Sequence, residues 1–140
     1  MERLRKADLL VLRFTDGEDL LEGMKKALKD EGIDSGVVLG GVGMLRNPQI
    51  AFYKGGGVYE PLPVEGEVEL CALNGNIASV DGEPFIHVHA TLGRADGSAV
   101  AGHFAGGKVH MTAEVAITAV GSKMTRVLDS KTGLKSLRFE

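Results

Sequence analysis

Three of the four histidines in the chain lie close together, at a spacing that is typical of metal ligands. His87 and His89 are two residues apart, and His103 follows fourteen residues after His89. The segment Phe85–Leu92 is rich in β-branched and apolar residues, which predicts a β-strand. Side chains two residues apart on a strand point to the same face, about 6.5–7 Å apart. The imidazoles of His87 and His89 can therefore converge on one ion.

The position of His103 depends on the turn that brings the chain back alongside this strand. With a two-residue turn, His103 would lie opposite Ala90 and would face away from the other two histidines. With a three-residue loop at 95–97 and a left-handed Gly97, which is a common hairpin type, His103 lies opposite His89. Metal binding therefore predicts an odd-numbered loop, or a bulge that restores the same parity.

Three imidazoles on one face are the ligand set of an open zinc centre, with one position left for water, a carboxylate or a ligand. Imidazole also suits copper, nickel and iron, so zinc is the first expectation among several divalent transition metals. The alternative is that these are ordinary half-buried strand histidines, but three within seventeen residues favour ligation. Glu114 is a candidate fourth ligand, or a partner that orients a liganding histidine. A solvated strand glutamate is its alternative interpretation.

The remaining segments predict the framework that positions these side chains. Glu18–Glu31 has apolar residues at helical spacing, which predicts one amphipathic helix packed on a sheet. Asn47-Pro48 is expected to interrupt a strand, and Gly106-Gly107 to form a tight turn. Phe52, Tyr53 and Tyr59 are candidates for a pocket wall, with ordinary packing as the alternative. Strand patterns or extended conformation are predicted at 7–14, 35–44, 50–53, 59–63, 66–77 and 108–120, and a closing hairpin at 124–128 and 134–139.

These elements predict an α/β fold of the α+β type, with a largely antiparallel mixed sheet and one main packing helix. A length of 140 residues suits a single domain, residues 1–140, with one core. The glycines of Ser35–Met44 do not predict a phosphate-binding loop, because no Gly-Lys-Ser/Thr follows them. The only cysteine, Cys71, excludes an internal disulfide and is expected to be a buried thiol.

Charge and hydropathy limit the classes of partner. The formal net charge of −3 gives no broad attraction to a phosphate backbone, although both ends of the chain carry clusters of Lys and Arg. No apolar run approaches the roughly 20 residues of a membrane span. We therefore expect a cytoplasmic protein without a membrane partner.

Five stretches of the chain form a distinctive set: Gly36–Gly43, Gly66–Leu70, Leu73–Ile77, Pro84–Phe104 and Thr112–Val115. On these stretches the chain resembles a known family, the PPC (plants and prokaryotes conserved) domain, over about Leu9 to Val120. The resemblance implies a mixed α/β subunit with a largely antiparallel sheet, assembled as a homotrimer. It also implies a metal at the positions of His87, His89 and His103. Plant relatives act on chromatin, and prokaryotic ones are often named as DNA-binding proteins.

The sequence and the resemblance together predict a metal-binding homotrimer whose molecular activity is undefined and which takes a small-molecule ligand at the metal. One alternative is a DNA-binding or DNA-associated regulator, but the plant AT-hook core Arg-Gly-Arg-Pro is absent and no helix-turn-helix is evident. The second alternative is a metal-dependent enzyme acting on a small molecule. No nucleophile elbow or Ser/His/Asp arrangement is visible, so a non-enzymatic role is favoured.

Overall fold

The computed structural model describes all 140 residues as one mostly antiparallel sheet with a single helix. Only the pairing of β5 with β8 is parallel, so the predicted α+β class with a largely antiparallel sheet is confirmed. The elements in chain order are β1 Glu2–Lys6, β2 Leu9–Thr15, α1 Leu20–Asp30, β3 Gly36–Gly55, β4 Val58–Leu62, β5 Glu67–Val80, β6 Glu83–Gly93, β7 Ala99–Ala119, β8 Met124–Leu128 and β9 Lys135–Phe139.

Four long strands close into a ring. β3 pairs with β5 on one side and with β7 on the other, and β6 pairs with both β5 and β7. One continuous core of 24 buried residues contains side chains from these strands, from β2 and from α1. Because neighbouring residues on a strand point to opposite faces, side chains that alternate with the core residues lie on the outside of the ring.

The helix forms where the apolar spacing predicts it. Asp19 is its N-cap, and the Asp19 carboxylate accepts a hydrogen bond from the backbone N–H of Glu22 at 3.1 Å. The buried stripe of α1 packs against β6 and β7 and consists of Leu20, Met24, Ala27 and Leu28. This helix has eleven residues, and no helix of the structure is long and apolar enough to cross a membrane.

Two predicted breaks are wrong, because each is a bulge inside a long strand. β3 continues through Asn47 and Pro48, which together oppose the single residue Gly107 of β7 between the pairs Arg46–Lys108 and Gln49–Gly106. Proline is tolerated there because a residue within a bulge is left out of the hydrogen bonds of the strand ladder, so its missing N–H costs nothing. Gly107 lies within this bulge and Gly106 is paired with Gln49, so β7 runs from Ala99 to Ala119 without a turn.

One unpredicted strand and one wrong prediction lie at the surface. No sequence pattern predicts the edge strand β1, because all five of its residues are exposed and their sequence carries no alternation. Cys71 is exposed rather than buried. Cys71 follows the buried Leu70, and strand alternation therefore places it on the outer face. The register of β5 against β6 shifts between Leu70 and Ala72, and this bulge turns Leu73 rather than Ala72 toward the core.

Candidate metal centre

The hairpin of β6 and β7 sets the register of the histidines. His89 lies directly opposite His103, and Gly93 opposite Ala99. The backbone N–H of Arg94 donates to the carbonyl of Ser98 at 2.8 Å and closes a three-residue loop, 95–97. Gly97 has a φ of +82°, a left-handed conformation that glycine adopts without steric cost. The predicted three-residue loop with a left-handed glycine is confirmed.

The three histidine rings converge on the outside of the ring of strands. Their centroids are 5.3 Å apart for His87–His89, 5.4 Å for His87–His103 and 5.7 Å for His89–His103. One ring nitrogen from each histidine lies within 4.8 Å of the other two. Val88 and Ala90, which alternate with these histidines, are 1% and 3% exposed and belong to the core. Strand alternation therefore places all three imidazoles on the face away from the core.

The neighbouring strand β5 pairs closely with the strand that carries His87 and His89. Asn74, Gly75 and Asn76 of β5 lie opposite His89, Val88 and His87 of β6, in that order. A Cβ atom at position 75 would lie 1.9 Å from the carbonyl oxygen of His87. Glycine at this position therefore allows β5 and β6 to approach closely where the histidine pair begins.

The surroundings of two of the imidazoles favour the neutral form. Burial lowers the pKa of His87 to about 4, and the positive charge of Arg126 and the other two histidines act in the same direction. Burial, and to a smaller extent His89, lowers the pKa of His103. A metal ion is bound by the neutral imidazole. Nδ1 of His103 is buried and has no hydrogen-bond partner, so the cluster is a donor set that fits a divalent transition metal.

The histidines lie in a cleft of about 850 Å³ with aromatic walls. The Tyr59 ring lies 4.7 Å from the His103 ring, centroid to centroid and tilted by 36°, and the Tyr53 ring lies 5.3 Å from that of Tyr59. Phe52 and Phe85 also line the cleft. The prediction that Phe52, Tyr53 and Tyr59 form a pocket wall is confirmed, and Phe85 is an addition from the histidine strand itself.

Arg126 is a site residue that the sequence patterns do not identify. Its Nη2 lies 2.7 Å from Asn76 Oδ1 and 3.0 Å from His87 Nδ1, and its Nη1 donates to the carbonyl of Lys135 at 2.7 Å. The guanidinium also lies 5.5 Å from the centre of the Phe85 ring. Along the chain Arg126 is one of several basic residues near the C-terminus. The pairing of β8 with β5 brings it to the cleft.

The structure does not bring Glu114 into the histidine cluster of its own chain. Glu114 lies opposite Arg13 of β2 and Val42 of β3. Its carboxylate accepts a hydrogen bond from the hydroxyl of Thr112 at 2.8 Å, and it does not line the cleft. The fourth histidine, His110, is also elsewhere, with its ring nitrogens 3.3 Å from carboxylate oxygens of Asp16 and Glu67.

The family model of the Plants and Prokaryotes Conserved domain, abbreviated PCC or PPC, matches residues 1–121. The chain belongs to this family. A PPC protein from Pyrococcus horikoshii is 31% identical, with a TM-score of 0.82, over 96% of this chain and 93% of that one. A structure described as a metal-containing protein from Archaeoglobus fulgidus is 27% identical, with a TM-score of 0.86, over 93% and 92% of the two chains.

A protein of Bacteroides thetaiotaomicron, provisionally named as DNA-binding, superposes with a TM-score of 0.92 over 99% of this PPC chain and 96% of that one. Its sequence is 22% identical, so the likeness shows a shared fold alone. No curated protein matches the chain. The β8–β9 hairpin that carries Arg126 begins at Met124, after the last residue of the family match.

Proposed function

We propose that this PPC protein binds a divalent transition metal, zinc first among them, through His87, His89 and His103. The observation that carries the proposal is the convergence of one nitrogen from each ring within 4.8 Å on the face of a cleft. The orphaned Nδ1 of His103 adds to it, because buried polar atoms ordinarily have a partner. The description of the Archaeoglobus fulgidus relative as metal-containing agrees with the proposal.

The metal centre is proposed to bind a small molecule rather than to catalyse a reaction. A three-histidine zinc site keeps a coordination position for a further ligand. The cleft has room for one, and no aspartate or glutamate lines it that could serve as a general base. The protein's own contribution is to hold the three rings in register and to enclose the ligand between aromatic walls.

We further propose that the outer face of β3 forms the subunit contact of a homotrimer, as the family resemblance implies. Val37, Leu39 and Val42 are 38%, 51% and 53% exposed on this face. Exposed apolar side chains grouped on one strand are typical of an interaction surface. Glu114 lies beside Val42, which assigns this carboxylate to the proposed contact rather than to the metal of its own chain.

DNA binding is the second candidate, and the charge distribution argues against it. Arg3 lies 2.9 Å from a carboxylate oxygen of Asp30, and Arg13 lies 2.7 Å from one of Glu2. These arginines are therefore paired, and the net charge is −3. Fluorescence anisotropy with duplex DNA at low salt tests the alternative, because phosphate contacts are strongest there. Salt-dependent binding of duplex DNA that persists after replacement of His103 would support DNA binding as the function.

The test of the metal proposal is elemental analysis of tag-free protein that has been stripped, incubated with zinc and freed of excess ion. Wild type is expected to retain about one zinc per chain, and His103→Gln is expected to retain little. His110→Gln is the matched control, because it removes a histidine from the same strand outside the cluster. Wild type without zinc, or zinc retained equally by both variants, would refute the assignment.

A further inference from the structure

We propose that the cleft takes a small organic carboxylate with a flat apolar body, held between the metal ion and the guanidinium of Arg126. The proposal rests on the proposed metal function and names the class of ligand for the same site. Three independent features of the cleft support it: its uncompensated charge, the hydrogen bonds of Arg126 and the composition of its walls.

With a metal bound, the cleft carries positive charge that favours an anionic ligand. A divalent ion on three neutral imidazoles keeps its full double positive charge, and Arg126 and Lys135 also line the cleft. None of the sixteen lining residues is acidic. Like charges at close range inside a partly buried site repel strongly. An anionic ligand that bridges the metal and Arg126 relieves this repulsion and makes a charge-assisted hydrogen bond.

The hydrogen bonds of Arg126 show why metal and ligand should bind together. Nη2 of Arg126 lies 3.0 Å from His87 Nδ1, and since a guanidinium only donates, Nδ1 must accept. That contact is incompatible with ligation. A metal on Nδ1 takes the lone pair that Arg126 uses, and a metal on the other nitrogen, Nε2, leaves a proton on Nδ1. Metal binding therefore releases an N–H donor of Arg126 into the cleft.

With a metal bound, two N–H groups of Arg126, one on Nη2 and one on Nε, lack a hydrogen-bond acceptor. Its Nε is buried and already has no hydrogen-bond partner, while Nη1 stays bonded to the carbonyl of Lys135. An unpaired buried donor on a charged group is costly. A carboxylate offers two oxygens, one for the metal and one for the guanidinium, and so satisfies both groups at once.

The aromatic side chains that line the cleft determine which organic group on the carboxylate is favoured. Phe52, Tyr53, Tyr59 and Phe85 line the cleft, and the Tyr59 ring lies against that of His103. Aromatic faces favour offset or edge contacts with a flat apolar partner. Inorganic phosphate satisfies the charge but leaves these walls exposed to water, so the observations favour an aromatic carboxylate over a free inorganic anion.

The experiment is isothermal titration calorimetry on zinc-loaded protein with benzoate, with its neutral isostere benzamide, and with inorganic phosphate. Benzoate is expected to bind about tenfold to a hundredfold more tightly than benzamide, as for a hydrogen bond between charged groups. Benzoate is also expected to bind more tightly than phosphate. Equal binding of benzoate and benzamide, or tighter binding of phosphate, would overturn the proposal.

Variants then separate recognition by Arg126 from a merely structural role. Arg126→Gln is expected to lose most of the preference for benzoate over benzamide while retaining zinc with equal or higher affinity, because a competing cation has gone. Arg126→Lys keeps a charge and should fall between. Arg138→Gln removes an exposed arginine from the same hairpin and should behave as wild type. An unchanged benzoate preference in Arg126→Gln, or a loss of zinc there, would contradict the assigned role.

The outcomes distinguish this inference from the proposed function beneath it. Wild type that takes up no zinc overturns both. Wild type that holds one zinc per chain but does not discriminate benzoate from benzamide overturns the carboxylate proposal and leaves the metal centre standing.

Discussion

His89 and His103 face each other as a cross-strand pair on β6 and β7, with ring centroids 5.7 Å apart. This relationship depends on the odd number of residues in the intervening loop, because one residue fewer would turn His103 to the core side. The cluster therefore depends on the register of the hairpin as well as on the presence of three histidines.

Zinc is expected to stabilise the folded protein by mass action. Free zinc at about a hundred times Kd should raise the free energy of unfolding by about 2.7 kcal/mol, provided that the unfolded chain does not compete for the ion. Urea unfolding with zinc and with a chelator measures the difference. The increment should vanish in His87→Gln and His89→Gln and persist in His110→Gln. An equal increment in all three variants would place the ion elsewhere.

Gly97→Ala tests the loop that sets the register. A Cβ at this position meets no atom within 4 Å, but φ is +82°, so the cost is conformational and about 1–2 kcal/mol. Gly121→Ala is the control, since it also meets open space and has no positive φ. Chemical denaturation should find Gly97→Ala clearly less stable than Gly121→Ala. Equal stabilities would mean that the left-handed loop is not required.

Gly75→Ala tests the close approach of β5 to the strand that carries His87 and His89. The added methyl would lie 1.9 Å from the carbonyl oxygen of His87, so β5 and β6 must move apart. We expect a loss of about 1–3 kcal/mol in stability, as for overpacking, together with weaker zinc binding because His87 shifts. Zinc retention and urea unfolding are measured on the same samples, with Gly121→Ala beside them. Full stability and full zinc content would contradict the close approach of the two strands.

Asp96 makes the hairpin loop sensitive to acid. Hydrogen bonds from the hydroxyl and the backbone N–H of Ser98 lower the pKa of Asp96 below its ordinary 3.8. A lowered pKa in the folded state stabilises the protein above pH 3.8, and this contribution disappears as the pH falls through the folded-state pKa. Asp96→Ala should therefore lose most stability relative to wild type near neutral pH. The difference in unfolding free energy between wild type and Asp96→Ala should shrink in acid, and unfolding measured between pH 6 and pH 3 checks this. A difference that grows in acid would contradict the assigned role of Asp96.

Leu39→Glu tests the proposed trimer contact. A charge introduced at a side chain that is 51% exposed in the isolated chain should leave the subunit folded but block a contact that desolvates this face. Sedimentation velocity should show a trimer for wild type and smaller species for the variant. Val58→Glu, at another exposed apolar residue, 59% exposed on β4, should remain trimeric. Wild type that sediments as a monomer would refute the trimer.

Local patterns were sufficient for α1 and for the histidine strand, because an apolar stripe and strand alternation each act over a few residues. The parity of His103 stayed open between two turn lengths, and the register of β6 against β7 decided it. Bulges were not predictable in this way. Asn47-Pro48 and Gly106-Gly107 have the composition of breaks, and only their pairing with a continuous partner strand keeps β3 and β7 intact.

The sequence by itself predicted the three histidines as candidate metal ligands, because residue type and strand period decide which side chains can share a face. Only the tertiary structure decided what surrounds them. Arg126 is 23 residues beyond His103 along the chain, yet its guanidinium lies beside His87 because β8 pairs with β5. Glu114 is on the same strand as His103, yet it lies opposite Val42, outside the cleft. Contacts between distant segments depend on strand order and closure of the sheet, which no local pattern encodes.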